Sequence, residues 1–321
     1  MDYLTPTLPY NQWLQQFPFL LRPMQFFSVL GSEYFYLALL PLLYWAVSRR
    51  MGAQLGTLLL FSAAVNQICK VGFALPRPYW ELPALKMSVE HSFGFPSGHA
   101  QGAFLLWLFV ALRSQNKRLW VPLAIAMALL ISISRNFLGV HYLADSIGGA
   151  LIGLSILGLT FAFGPAWLRF WRQLSSFQKI VFSLLLTLFL AMIYAMAMFR
   201  GAQASIMGYG QFRTPEYQIA LTDAVNWNTI SRTLGGFFGL LCAISLAARW
   251  PQPELRVPLA RLIFRLIVGF AGLVVIYLGL KFALPQRNGW NFARYFLTTF
   301  WVAFGAPWVF SLIERQKRRV V

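Results

Sequence analysis

Long apolar runs, broken by short polar stretches, organise this chain. Nine such runs predict helices near 30–48, 53–75, 97–113, 118–136, 140–163, 179–200, 231–249, 263–283 and 293–313. A helix needs about 20 apolar residues to cross the hydrocarbon of a bilayer. The runs at 97–113 and 118–136 are short for that, and those at 53–75, 118–136 and 140–163 carry polar residues at one end. Polar groups at membrane depth are expected where they line a protected site rather than face lipid. Residues 17–29 are apolar but interrupted by Pro18 and Pro23, which predicts a helix lying in the interface. The fold class that follows is an all-α polytopic membrane protein with nine spans in total. It divides into an N-terminal segment (1–29), a helix-bundle core of about five spans (30–165) and a C-terminal extension of about four (166–321). The core holds the polar intramembrane residues; the extension holds few.

Composition agrees. Of the 321 residues, 58% are hydrophobic and 11% charged, against about 25% charged in a soluble domain. Membrane lipids are therefore the expected surroundings. The net charge of +18 does not point to nucleic acid, because no basic groove or base-stacking motif accompanies it. Its Lys and Arg lie mostly in short connections. If the N-terminus is outside, 16 of the 27 fall on the inner side and 11 on the outer, three of those 11 within the motifs below. Cytoplasmic connections are the positive ones, so the N-terminus is placed outside and the C-terminus in the cytoplasm, as in a bacterial inner membrane with its site facing the periplasm or exterior. No basic residue precedes Arg22, so the start does not read as a cleavable signal peptide. Cys69 and Cys242 sit inside apolar runs without metal-ligand spacing and read as small core residues. The outer connection near 201–230, with Tyr209, Phe212, Tyr217 and Trp227, is long enough to expect a role of its own.

Chemistry concentrates in three segments: Lys70 to Arg77-Pro78, Pro96-Ser97-Gly98-His99, and Ser134-Arg135 to His141 and Asp145. In the span layout all three lie at one membrane level, at the ends of four helices. Three cations together call for an anion. Arg77 and Arg135 match phosphate oxygens bidentately and Lys70 adds a point charge. Ser97 and Gly98, at a helix start, can offer N–H groups to the same anion. His141 and Asp145, four apart, share a helix face. The carboxylate fixes one imidazole nitrogen and leaves the other to attack phosphorus, while His99 is available as general acid. Of the acidic residues only Asp145 falls in the cluster, too few for a dedicated magnesium site, so neither a metal nor another cofactor is expected. Taken singly, each of these residues would more ordinarily snorkel or pack; the joint spacing is what carries the reading.

That spacing resembles the signature of the type-2 phosphatidic-acid phosphatase superfamily: Lys, six residues, Arg-Pro; Pro-Ser-Gly-His; Ser-Arg, five residues, His, three residues, Asp. Every fixed position is matched, and the resemblance covers about residues 17–165. It implies a phosphatase core in which His141 forms a phosphohistidine, Asp145 is its partner, His99 is the acid, and Lys70, Arg77, Ser97, Gly98 and Arg135 bind phosphate without metal. The vanadate haloperoxidases of the superfamily are soluble, unlike this chain. A site at the membrane surface suits a phosphorylated lipid: phosphatidic acid, phosphatidylglycerophosphate, undecaprenyl diphosphate or a sphingoid-base phosphate. Arg77-Pro78-Tyr79-Trp80 is also similar to animal glucose-6-phosphatase, which makes a sugar phosphate the alternative substrate. Transfer of the phosphoryl group to an acceptor hydroxyl is the alternative reaction. The motifs leave the oligomeric state open.

Overall fold

A computed structural model describes residues 7–208, 226–250, 252–285 and 287–319. Every regular element among them is helical. The order is α1 (Leu8–Gln15), α2 (Leu21–Val29), α3 (Glu33–Leu42, continued by a π-helical turn over Leu43–Val47), α4 (Arg49–Phe73), α5 (Pro78–Glu81), α6 (Gly98–Ala111), α7 (Lys117–Phe137), α8 (Leu143–Gln173), α9 (Ser176–Gly208), α10 (Trp227–Ala247), α11 (Leu259–Ala283), α12 (Asn288–Phe300) and, after a π-helical turn over Trp301–Gly305, α13 (Ala306–Arg319).

All nine apolar runs fall on helix, and the chain is a multi-pass integral membrane protein. Among the described residues, seven helical stretches are long and apolar enough to cross a bilayer by themselves. Pro18–Val29 and Glu33–Val47 meet that standard only as a pair, bent by 49°. Here the expected interfacial helix and the first expected span form one broken element. α6 is apolar but has 14 residues, about 21 Å of helix against a core of about 30 Å. Most of the 201–230 connection, including Tyr209, Phe212 and Tyr217, lies outside the described residues.

The described chain forms two compact units. Unit 1 draws on Met1–Tyr36, Ser62–Gly164 and Met192–Asn226; unit 2 on Leu37–Phe61, Pro165–Ala191 and Trp227–Val321. In unit 1, α6 packs on α7, and α1 and α2 lie against α7. α8 approaches the start of α6 so closely that a Cβ on Gly149 would strike the Ser97 carbonyl, and one on Gly153 the Gln101 carbonyl. Small residues four apart are how membrane helices bring backbones together. Ser97 caps α6, its Oγ accepting from Ala100 N–H at 3.4 Å.

In unit 2, α10 and α12 meet through the same device, with Gly235 and Gly239 against the Phe292 and Phe296 carbonyls. Tyr44 Oη and Trp45 Nε1 donate to the Ala303 and Val302 carbonyls of the second π-helical turn, at 3.0 and 2.8 Å. Unit 2 is less uniformly apolar inside than its sequence suggests. It buries Arg265 and Arg294, the first over the ring of Phe310 and the second over Tyr277 and Tyr295.

α7 stops at a turn that swings the chain into α8. Leu138 N–H bonds Ser134 O at 3.0 Å, Gly139 N–H bonds Asn136 O at 3.0 Å, and Gly139 adopts a φ of +72°. A side chain there meets two obstacles: the left-handed backbone, and the Leu85 carbonyl where its Cβ would sit. Gly139→Ala is expected to destabilise the protein by more than about 1 kcal/mol, read as a lower thermal unfolding midpoint in detergent. An unchanged midpoint would show that the turn relaxes freely.

Candidate active site

The three motif segments meet within unit 1. Lys70 sits in the last turn of α4 and Arg77 in the extended stretch before α5. Ser97 is the cap of α6, and Gly98 and His99 are its first residues. Arg135 ends α7, His141 lies in the α7–α8 loop, and Asp145 is in the first turn of α8. The close α6–α8 approach ties the second and third segments, with Ser97 N–H donating to the Asp145 carbonyl at 2.9 Å.

At the centre is the His141 ring. Its Nδ1 lies 3.1 Å from Asp145 Oδ2, an oxygen that also accepts from Tyr142 N–H at 2.9 Å. Its Nε2 lies 3.4 Å from Arg77 Nη1. A guanidinium can only donate. Nε2 therefore carries the lone pair, and Nδ1 carries the proton given to Asp145. The ring is held as one neutral tautomer with its basic nitrogen towards the cations. Burial, then the charges of Arg77, Lys70 and Arg135, holds the His141 imidazole well below its ordinary value.

Each cation is nearly sealed from water: Lys70 is 8% exposed, Arg77 1% and Arg135 3%. Their protons must then go to protein acceptors. Lys70 Nζ donates to the Phe93 and Gly94 carbonyls at 2.5 and 3.3 Å. Arg77 donates to the carbonyls of Ser92 (2.5 Å), Val140 (2.6 Å) and Phe93 (3.1 Å) and to Ser92 Oγ (2.9 Å). The backbone over Ser92–Gly94 thus fastens both residues. Arg135 differs. Its Nη1 donates to Ser28 Oγ of α2 at 2.5 Å, and its Nη2 pairs with the Glu90 carboxylate. His99 is partly exposed and packs against Gly31. Gly98 faces Asn66, and the Ser97 amide is already engaged by Asp145. His91, the third histidine, is exposed on the loop before α6.

Several contributors were not legible as site residues. Glu90 brings a second carboxylate to a cluster where Asp145 alone was expected. Burial by itself would raise its pKa, but Arg135 foremost, with Arg77, pulls it down to about 2. Asn11 Nδ2 donates to the Asn136 and His141 carbonyls at 2.8 and 3.0 Å, and Asn136 Nδ2 reaches the His141 carbonyl at 2.9 Å. Gln15 Nε2 holds the Phe137 and Leu85 carbonyls at 2.8 and 3.0 Å. Asn66 bonds the Pro96 carbonyl (3.1 Å) and Gln101 Oε1 (2.9 Å). The available signal was an amide in an apolar helix at a spacing of four, as in Asn11 with Gln15 and Asn66 with Lys70.

Comparison with known proteins gives two family matches. Residues 52–169 match the PAP2 superfamily, and residues 231–318 match the PAP2 superfamily phosphatase transmembrane extension. The chain belongs to the PAP2 superfamily. It is 29% identical over 150 residues to sphingosine-1-phosphate phosphatase 2 of Mus musculus (44% of this chain, 41% of that protein). It is 35% identical over 89 residues to phosphatidylglycerophosphatase B of Bacillus subtilis (25% and 44%). It is 31% identical over 137 residues to an undecaprenyl-diphosphatase of Sulfolobus acidocaldarius (40% and 64%). The match thus spans less than half the length of the mouse protein.

The depressed His141 pKa carries a sign that can be measured. The unfolded chain takes up a proton near pH 6.5 that the folded PAP2 site refuses. Below that pH the unfolded state binds more protons, so stability falls with falling pH by up to about 1.4 kcal/mol per unit. Unfolding midpoints of the protein and of His141→Gln, taken from pH 8 to pH 5, are expected to diverge in favour of the variant as pH drops. Parallel curves would mean that the ring protonates freely in the folded state.

Proposed function

We propose that this protein hydrolyses a lipid phosphate or diphosphate through a phosphohistidine, without metal. The observation that carries the reading is the His141 ring, neutral, pinned at Nδ1 by Asp145 and presenting Nε2 beside Arg77. In the first step Nε2 attacks phosphorus and the bond to the lipid oxygen breaks, with His99 giving that oxygen a proton. In the second, water loses a proton to His99 and attacks the phosphohistidine, and inorganic phosphate leaves. Lys70, Arg77 and Arg135 balance the charge on the transferring group. Ser97 and Gly98 complete the anion's surroundings at the start of α6. The three cations supply what a metal would otherwise provide.

The lipid is inferred from three considerations. The cluster lies at helix ends in a membrane protein, where an acyl or isoprenoid tail can stay in the bilayer while the headgroup reacts. The three similar proteins described above are all named for phosphorylated lipids. The Lys and Arg distribution supports an outer-face position for this end of the core. In this reading 30–165 is the catalytic core and 166–321 the extension.

His141→Ala is expected to abolish phosphate release in folded protein. His99→Ala should cost about 10²–10⁴-fold on an alkyl phosphate and much less on a nitrophenyl ester, whose leaving oxygen needs no proton. Equal losses on both substrates would remove His99 from the acid role. A chelator should leave the rate unchanged. In detergent, phosphatidic acid, a sphingoid-base phosphate and undecaprenyl diphosphate are compared with glucose 6-phosphate. Efficient sugar turnover with none on the lipids would overturn the lipid assignment.

A further inference from the structure

We propose that Glu90 is an internal competitor for the phosphate, a carboxylate that occupies Arg135 when the site is empty and must swing away when an anion binds. This rests on the reading of the site as a phosphate site.

The three cations are not held alike. Lys70 and Arg77 are fastened largely to backbone carbonyls of Ser92, Phe93, Gly94 and Val140, which cannot leave without moving the chain. On Arg135, Nη2 faces a side-chain carboxylate, Oε1 of Glu90. A carboxylate offers a guanidinium the same planar pair of acceptors as a phosphate edge. The pair is lopsided in exposure: the Arg135 side chain is 4% exposed and that of Glu90 32%. The carboxylate therefore stands on the open side of a buried cation. His99, the acid of the proposed reaction, is also partly exposed.

The backbone at Glu90 is held independently of its side chain, whose carboxylate pairs with Arg135. Tyr79 Oη donates to the Glu90 carbonyl at 2.9 Å and accepts from its N–H at 3.3 Å. Rotation about the side-chain bonds is then enough to release Arg135, without rebuilding the irregular segment before α6. Charge supplies the competition. Arg135, Arg77 and Lys70 face two carboxylates, Glu90 and Asp145, and Asp145 is committed to His141 and Tyr142. An arriving phosphate replaces Glu90 on Arg135 and repels it. A departing phosphate is replaced by it. The carboxyl stays ionised through the physiological range, so the competitor is always charged. Its consequence is a weaker grip on inorganic phosphate, which is the product.

Binding of inorganic phosphate to the full chain in detergent tests this without turnover. Glu90→Gln keeps the shape and a neutral acceptor for Arg135 but removes the charge. It is expected to bind phosphate about tenfold more tightly than the unaltered protein, and to show correspondingly stronger product inhibition. Glu90→Ala, with its unfolding midpoint measured alongside, guards against misfolding and is expected to shift in the same direction. Equal or weaker phosphate binding in both folded variants would overturn the proposal and leave Glu90 as a positioning residue for Arg135. Folded protein in which neither the unaltered chain nor the variants bind phosphate would overturn the phosphate site itself.

Discussion

Lys70, Arg77 and Arg135 are cations that an apolar bundle has withdrawn from water, and much of unit 1 is shaped by the need to keep them there. An uncompensated charge at such a depth would neutralise or force the bundle open. The solution is a shell of fixed acceptors. Carbonyls from the segment before α6 take the protons of Lys70 and Arg77, and a further carbonyl from the α7–α8 loop reaches Arg77. In the proposed phosphate site, backbone acceptors suit an arriving anion because they neutralise little: the cations stay hydrogen-bonded while keeping their net charge.

The same constraint explains why so many backbone contacts are close. Gly149 and Gly153 let α8 lie against the start of α6, and the Ser97 amide then reaches the Asp145 carbonyl. The carboxylate that orients His141 and the helix that carries His99 are thereby parts of one rigid corner. Gly139 turns the chain so that His141 falls inside it rather than beside it. Preorganisation of this kind is what an electrostatic site needs, since dipoles fixed in advance cost nothing to reorient during reaction.

Much of this was legible in the sequence, for a physical reason. Helices predicted from long apolar runs are strong signals, and Lys70, Arg135, His141 and Asp145 stand out because polar groups are costly there. The i,i+4 relation of His141 and Asp145 follows from helix geometry alone. What stayed hidden depended on tertiary approach. Nothing local announces that Asn11 would serve carbonyls more than a hundred residues away, or that Glu90, in an irregular segment, would turn inward to Arg135. Helix length by itself yields fewer than nine spans among the described residues at two places where propensity is ambiguous: the proline-broken stretch from Pro18 to Val47, and α6, whose 14 residues are apolar but short.

α1 has a consequence for how the molecule is made. Its Asn11 grips carbonyls of Asn136 and His141, 125 and 130 positions further along. At ribosomal speeds of about 5–20 residues per second, α1 waits on the order of 6–25 s for the loop it must hold. Throughout that interval the basic and polar residues of α4 and α6 enter the bilayer without the corner that will organise them. The corner around His141 therefore closes only after the α7–α8 loop has been made, so its first and last parts are separated in time as well as in sequence.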